Sequence, residues 1–494
     1  MLDSERETLA VRTANESLAV LKGILGSEGG ELHYSFLLVH SVLTNEMPTF
    51  ENTKELNRTS TQVKETYLKD HFSKLHEVLK VIATYIHVED KTLIIPYLRQ
   101  YIKLTNSKIS VWGSTNIAVS PIIHPSQFGD DKFPLFIIDP FRGRHPVIIN
   151  SKSLSSKRIA LPVFPQLILD SHILQYIDWY VNNKSKLHGG RICHVRSMLQ
   201  YFASKNYWYS PLFYYFEAVS KGSTEEHIRG AFSLYVRLLC LNRQLMVETG
   251  EFLFDDSRFN ALKSSLSVSD FEEMVSYFIQ FCRDFSGFVQ EQSILVELTY
   301  CVLIKMVVIQ KSDPKMLLKS KVNQLGEFLS NTVKTQFSYE FMLAICYFLG
   351  HFERFVRVQK TMKFEVAKGH LLACSWDMLL LRQPELYLFF DNPDFDVISG
   401  ICTNDKALVD ISRFYSLSHA VKFHDAGIFL PNHELDIDYL LGIVGDVNYE
   451  QIRDTLDLDL RLALFDKNKK IIMSQEDLSV LKKQLENELR YFTS

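Results

Sequence analysis

Leu167-Ile-Leu-Asp170-Ser-His172 is the stretch that decides the fold, and Ile401-Cys-Thr-Asn-Asp405-Lys-Ala-Leu408 repeats its plan. Each is a short apolar run that ends near an aspartate and passes directly into residues at helical spacing. Such runs, each followed by a helix, predict buried strands of a parallel sheet. Ligands bind at the carboxyl ends of the strands in sheets of this kind. We therefore expect Asp170 and Asp405 to face one another there and to bind a divalent metal ion.

The composition of the 494-residue chain predicts a folded, mostly helical protein. Hydrophobic residues make up 46%, whereas Gly 20 and Pro 14 are low, which favours long helices. The net charge of −4 gives no overall basic field, although a local basic patch would be enough for nucleic acid. The 7 cysteines form no Cys-x-x-Cys pair, which argues against a disulfide framework or a zinc site and favours a reducing cytoplasm.

The sequence predicts a cytoplasmic protein that does not bind membranes. The N-terminal residues are charged and do not have the pattern of a signal peptide. The longest apolar stretch, residues 294–309, is interrupted by Glu297 and Lys305. We therefore expect a buried helix there rather than a membrane span, which needs about 20 apolar residues.

Changes in pattern along the chain predict an α/β protein with several helical additions. A parallel-sheet core is interrupted by a long helical stretch and flanked by helical regions. The expected regions are 1–110, an all-helical N-terminal region; 111–160, an irregular β-rich segment; 161–221 and 363–425, the core; 222–362, a helical insertion; and 426–494, a C-terminal helical extension.

Two further acids lie on predicted helices. Glu217 follows the strand-like run Tyr207–Ser210, and Asp377 lies within an apolar helix, where an unpaired carboxylate costs energy. Nucleases that use two metal ions need several carboxylates around one point to bind Mg²⁺ or Mn²⁺. The candidate set is Asp170, Glu217, Asp377 and Asp405.

The order and context of these acids resemble the PIN-domain ribonuclease family. Leu167-Ile-Leu-Asp170-Ser171 is similar to the first strand of such domains, and Cys402-Thr403-Asn404-Asp405 is similar to the turn that carries their final acid. The resemblance implies a PIN-like parallel sheet between helices and metal-dependent cleavage of RNA. It also implies that Asp170, Asp377 and Asp405 bind Mg²⁺ or Mn²⁺, with Glu217 as the fourth catalytic acid. Thr403 and Asn404 in the matching turn are candidate substrate-binding residues.

Two basic clusters could contact phosphates. The first follows Asp170 and consists of Lys184, Lys186, Arg191 and Arg196. The second precedes Asp377 and consists of Arg354, Arg357, Lys360, Lys363 and Lys368. Contacts of this kind position a nucleic acid without selecting its sequence. A charged, solvated helix face is the alternative interpretation of each cluster.

The sequence therefore predicts a metal-dependent endonuclease, with RNA as the expected substrate and DNA as the second choice. Roles as a toxin or as an antiviral defence effector would suit such an enzyme by analogy. A regulatory protein partner and an oligomer both stay open. The alternative from another class is a non-catalytic helical interaction or scaffold protein with a degenerate α/β core. Motifs of dinucleotide binding, phosphate loops, serine hydrolases and zinc proteases do not occur.

Overall fold

The computed structural model describes residues 96–100, 109–115, 123–150, 163–188, 190–334, 337–359, 361–388, 396–423, 428–456 and 473–493. The strands are β1 Ile109–Thr115, β2 Ser126–Phe128, β3 Leu135–Ile138, β4 His145–Asn150, β5 Val163–Leu169, β6 Trp208–Ser210, β7 Asp396–Thr403, β8 Tyr415–Phe423 and β9 Ile428–Leu435.

Helices fill most of the remaining described chain. Between β5 and β7 they are α1 Ser171–Asn182, α2 Arg191–Lys205, α3 Leu212–Ser220, α4 Glu225–Leu239, α5 Arg243–Thr249, α6 Asp256–Leu266, α7 Phe271–Asp284, α8 Ser286–Ser312, α9 Leu318–Glu327, α10 Ser338–Phe348, α11 Glu353–Val356 and α12 Phe364–Leu388. After β7 they are α13 Lys406–Ser412, α14 Ile437–Val444, α15 Asp446–Leu456 and α16 Gln475–Arg490.

The central sheet has five strands in the order β2-β3-β7-β5-β6. Strand β5 pairs in parallel with β6 on one side and with β7 on the other. Strands β3 and β7 are antiparallel, and so are β2 and β3. The mixed α/β class is confirmed, but the sheet is only partly parallel. The short connection of residues 129–134 explains the antiparallel order of β2 and β3, because a tight turn joins neighbouring strands only in that order. Gly129 has φ +89° there, a conformation that favours glycine.

A second sheet has four antiparallel strands in the order β4-β1-β8-β9. The residues of 111–160 therefore do not form a segment of their own, since β2 and β3 join the central sheet while β1 and β4 join this one. The expectation of a helical extension from residue 426 is wrong at its start, because Ile428–Leu435 is strand β9. Pro431 lies within this strand and is tolerated there because β9 is an edge strand.

The helical layer is built around α8 and α12, which pack against one another, and α16 packs against α8. Within α8, Gln292–Ser312 is long and apolar enough to cross a membrane by length and composition, but 72% of its apolar window is buried inside the protein. Helix α12 continues through Pro384 to Leu388, although a proline inside a helix removes a hydrogen bond. Its buried residues on both sides of the proline stabilise this continuation. Of the expected helical region 1–110, only 96–100, which is helical, and the start of β1 lie within the described residues.

Candidate active site

The carboxyl ends of β5 and β7 lie side by side. Leu169 pairs with Cys402, and the Asp170 N–H donates to the Cys402 carbonyl at 3.0 Å. Thr403, fully buried, therefore lies next to Asp170 and donates its hydroxyl to Asp170 Oδ2 at 2.7 Å. The same Oγ1 accepts from the Asp405 N–H at 3.1 Å. One buried hydroxyl thus links the two strand ends that the sequence singled out.

Both strand-end aspartates are N-caps. Asp170 Oδ1 accepts from the His172 N–H at 3.2 Å at the start of α1. Asp405 Oδ1 accepts from the N–H groups of Ala407 at 2.8 Å and Leu408 at 3.3 Å at the start of α13. A helix N-terminus favours a negatively charged group. Burial alone would raise the pKa of Asp170, but hydrogen bonds from His172 and Thr403 outweigh it and lower that pKa. Asp170 is therefore held as a buried carboxylate.

The other two acids reach the same place from helices. Glu217 on α3 is buried, and Lys221 Nζ lies 2.5 Å from its Oε1, one turn along the helix. Asp377 lies on α12, which packs against β7 and α3. Burial raises the pKa of Asp377 well above its usual value, and the carboxylates of Asp170, Asp405 and Glu217 raise it further. Lys221 offsets part of this effect. Asp377 is thus a carboxyl group crowded by like charges.

All four predicted acids line one cavity of about 1000 Å³, which we call the acidic cavity. Basic side chains from several elements surround these acids: His172, Lys221, His351, Arg354, Arg357, His370, Lys406 and Arg413. His172 Nδ1 lies 3.7 Å from Asp170 Oδ1, and this contact raises the pKa of His172. The cavity therefore combines an acidic centre with a basic rim, an arrangement suited to a metal ion and a polyanion together.

The basic cluster that follows Asp170 in sequence does not line the acidic cavity. Its side chains pack on aromatic rings instead. Lys184 lies over Tyr180 at 4.7 Å, Lys186 over Trp179 at 5.7 Å, Arg191 over Phe133 at 4.8 Å, and Arg196 Nε is 3.3 Å from the Tyr180 hydroxyl. The four exposed cations therefore lie outside the lining of the acidic cavity, and phosphate binding by them stays a prediction.

Only some residues of the second basic cluster and of the turn Thr403-Asn404 line the acidic cavity. Arg354 and Arg357 line the acidic cavity, whereas Lys368 pairs with Glu486 at 3.1 Å. Lys360 lies outside the described residues. Asn404 lines the cavity and donates to the Tyr176 hydroxyl at 3.1 Å. Thr403 is fully buried beneath it and positions Asp170.

Six of the eight basic residues of the cavity were missed by sequence reasoning, and four of them stand close in sequence to a predicted acid or to the helix that follows it. Lys221 follows Glu217 by one helical turn, the spacing of an ion pair on one helix face. His172 and Lys406 directly follow the strand-end turns, and Arg413 comes one helix later. Their short distance in sequence from the acids could have indicated that they line the same cavity.

The acids suit a hard divalent cation in their chemistry, because Mg²⁺ and Mn²⁺ bind carboxylate oxygens. Among the described residues, however, no three His, Cys, Asp or Glu side chains are grouped as metal ligands. Asp170 already accepts hydrogen bonds on both oxygens. A carboxylate has about four lone-pair sites, so these bonds leave room for a cation. The donor set therefore fits such an ion in kind.

Comparisons of this chain with protein-family models, with curated proteins and with solved structures returned no match. The function is therefore inferred from the acidic cavity itself.

Proposed function

We propose that this protein is a metal-dependent endonuclease with a PIN-like core and that its substrate is RNA. The observation that carries the proposal is the acidic cavity: four acids from two strand ends and two helices line it together with a rim of basic side chains. Metal-dependent hydrolysis of a phosphodiester uses both features, because carboxylates bind the metal ion and cations bind the phosphates.

The arrangement of the parallel strands supports the PIN-like part of the proposal. The three strands β6-β5-β7 are parallel neighbours, with the strand that ends at Asp170 in the middle. Glu217 follows the strand on one side, and Asp405 follows the strand on the other. Helices α4–α11 then form an insertion between the second and third acids.

Each residue has a defined part in this proposal. Asp170, Asp377 and Asp405 would hold Mg²⁺ or Mn²⁺, which supplies Lewis-acid polarisation of the phosphate and lowers the pKa of a bound water. Thr403 orients the Asp170 carboxylate through its 2.7 Å hydrogen bond. Glu217 is ion-paired with Lys221, so it acts on the charge of the cavity rather than as a metal ligand. Arg354 and Arg357 hold the phosphates next to the reacting one.

The wider context of the proposal is a cytoplasmic nuclease that acts as a toxin or as an antiviral defence effector, with a regulatory protein partner. This context rests on analogy with the function of other elaborated nucleases. It adds nothing to the chemistry of the site.

The test is cleavage of a 5′-labelled single-stranded RNA by the purified full-length protein with Mn²⁺. Asp170→Asn should lower the cleavage rate by about 10³-fold or more, the order of loss seen when a central catalytic group is removed. The matched control is Asp284→Asn, because Asp284 is an exposed carboxylate at the end of α7 that does not line the acidic cavity. Its rate should equal that of the unchanged protein.

Cleavage that persists both in Asp170→Asn and with a chelator would contradict the proposal. A folded protein that cleaves neither RNA nor DNA with Mn²⁺ would favour the non-catalytic scaffold. Circular dichroism of each variant checks that a lost activity is not a lost fold.

A further inference from the structure

A second cavity of about 820 Å³ adjoins the acidic cavity, and we call it the α1–α4 groove. Residues of α1 and α4 form its two walls. Ser171 and His172, at the start of α1, line both cavities. A chain molecule whose phosphate lies among the acids can therefore continue past His172 into this groove.

The chemistry of the groove differs from that of the acidic cavity. Its polar lining is mainly neutral and includes the amides of Gln175 and Asn182 and the hydroxyls of Thr224 and Ser233. The acids Asp178 and Glu226, the base Arg237 and the imidazoles of His172 and His227 are also present, so no single charge dominates. Asn182 binds two of them, donating to Asp178 at 2.7 Å and accepting from Arg237 at 3.2 Å. Neutral donors and acceptors suit the edges of nucleobases, whereas phosphates need cations.

Trp179 supplies an aromatic face in the groove. Its indole is half-buried, tilted against Tyr176 with ring centroids 5.8 Å apart, and Lys186 Nζ lies 5.7 Å from its ring. An aromatic ring beside a cation is a common platform for an unpaired base. The exposed Lys186 ammonium over Trp179 gives this platform a positive charge.

The opposite wall leaves room for a base. Small residues of α4, namely Gly230, Ala231 and Ser233, line the groove. A Cβ added at Gly230 would meet no atom within 4 Å, so the space beside it is open. Gly in the middle of a helix costs stability relative to Ala. At this position the glycine keeps the groove wide.

We propose that the α1–α4 groove binds the unpaired bases next to the phosphodiester held in the acidic cavity, and that the enzyme therefore requires a single-stranded substrate. The inference rests on the proposed nuclease function for the identity of the ligand. Bases in a duplex are stacked on their neighbours and paired at their edges, so they cannot stack on Trp179 at the same time. Trp179 and Gly230 are then residues that determine specificity.

The experiment measures binding rather than cleavage. The full-length protein is titrated with a fluorescein-labelled single-stranded RNA of about ten nucleotides, and anisotropy is read in EDTA, so that no cleavage occurs. Trp179→Ala should raise Kd about tenfold, which is within the range for the loss of one base–aromatic stack. Gly230→Phe should raise it by a similar factor because the new ring fills the groove. Gly326→Phe is the matched control, since Gly326 lies in a helix with open space at its Cβ and lines neither cavity.

A second RNA of the same length carries abasic sites in place of the bases on both sides of its centre. The unchanged protein should bind this abasic RNA about tenfold more weakly than the RNA with bases. Trp179→Ala should bind the abasic RNA with the same Kd as the unchanged protein does. A duplex RNA should bind equally to all four proteins. Weakening by Trp179→Ala that is the same with and without bases would overturn the proposal, and so would unchanged binding by Gly230→Phe.

The two proposals fail in different ways. Base-dependent binding without any Mn²⁺-dependent cleavage would keep the groove and reject the nuclease. Cleavage that depends on Asp170, together with groove variants that bind normally, would reject the groove alone.

Discussion

Helix α12 carries partly buried charge at Asp377 and at Arg382, about one and a half turns further along, and buried charge at Glu385 in the next turn. Around Asp377 the neighbouring charges are the carboxylates of Asp170, Asp405 and Glu217. Around Arg382 and Glu385 they are of opposite sign. One helix therefore presents crowded like charge at the acidic cavity and paired charge in the helical layer. Charged side chains of one helix that are shielded from water therefore have different roles in the two regions.

The paired region contains two ion pairs, Arg382 with Glu340 and Glu385 with His433. Arg382 donates to Glu340, which is fully buried and also accepts from the Thr299 hydroxyl at 3.3 Å. Glu385 pairs with His433 of β9 at 2.8 Å. This network joins α8, α10, α12 and the second sheet.

The difference shows which buried charges are structural. A buried charge with a partner of opposite sign is at best neutral for stability, but it becomes costly when the partner is removed. A buried acid among acids is costly from the outset, so a ligand of opposite charge is its natural complement. Proteins commonly tolerate such strain where function requires it.

The largest expected effect is on the paired region. Glu340→Gln should lower the free energy of unfolding by about 3–5 kcal/mol, because it leaves the Arg382 guanidinium buried without its main counterion. The measurement is urea unfolding followed by circular dichroism. Glu450→Gln is the control, since Glu450 pairs with Arg453 on an exposed surface of α15, where such pairs contribute about 0–1 kcal/mol. Equal losses in both variants would mean that the network has no special role.

Much of the central sheet and the meeting of the acids could be predicted from the sequence. Asp170 and Asp405 each end an apolar run and begin a helix, and parallel strands bring such ends together. The register of Leu169 with Cys402 makes them neighbours. Asp377 could be singled out because an unpaired carboxylate in so apolar a helix costs free energy unless it has a partner or a ligand.

The basic rim and the second sheet could not be predicted in the same way. The rim residues come from α3, α11, α12 and the chain around α13, and no local pattern tells which charged residues of separate helices converge. Lys184 and Lys186 were chosen for their nearness in sequence to Asp170, but α1 carries them a full helix length away from its start. Strand β9 contains Pro431, whose acceptability depends on its edge position, which is a property of the whole sheet.

A gain in stability is expected at the acidic cavity. Asp377→Asn should raise the free energy of unfolding by about 1–3 kcal/mol, because it removes a buried charge that three carboxylates oppose. The same variant should lose cleavage of RNA. Urea unfolding without metal measures the first effect, with Asp284→Asn expected within about 0.5 kcal/mol of the unchanged protein. A clear loss of stability in Asp377→Asn would mean that its carboxylate is structural and would remove the contrast with Arg382.

The smallest expected effect depends on pH and concerns the pair of His433 with Glu385. Burial and Arg382 lower the pKa of His433, but the Glu385 carboxylate outweighs them and raises it above the usual value of 6.5. A raised histidine pKa means that the folded state binds the proton more tightly than the unfolded state. The stabilisation is therefore complete below about pH 6.5 and is lost as the pH rises through the folded pKa.

His433→Gln should consequently cost more stability at pH 6 than at pH 9, by about 1 kcal/mol, the order of the contribution of one partly exposed ion pair. A double-mutant cycle with Glu385→Gln isolates the pair from Arg382 and from the Tyr415 ring, which lies 6.3 Å from the His433 ring. The coupling energy between the two positions should be present at pH 6 and close to zero at pH 9. A coupling energy that does not change with pH would mean that a neutral hydrogen bond, rather than an ion pair, joins β9 to α12. The paired region would then contain one ion pair, Arg382 with Glu340, and the contrast with the acidic cavity would rest on that pair alone.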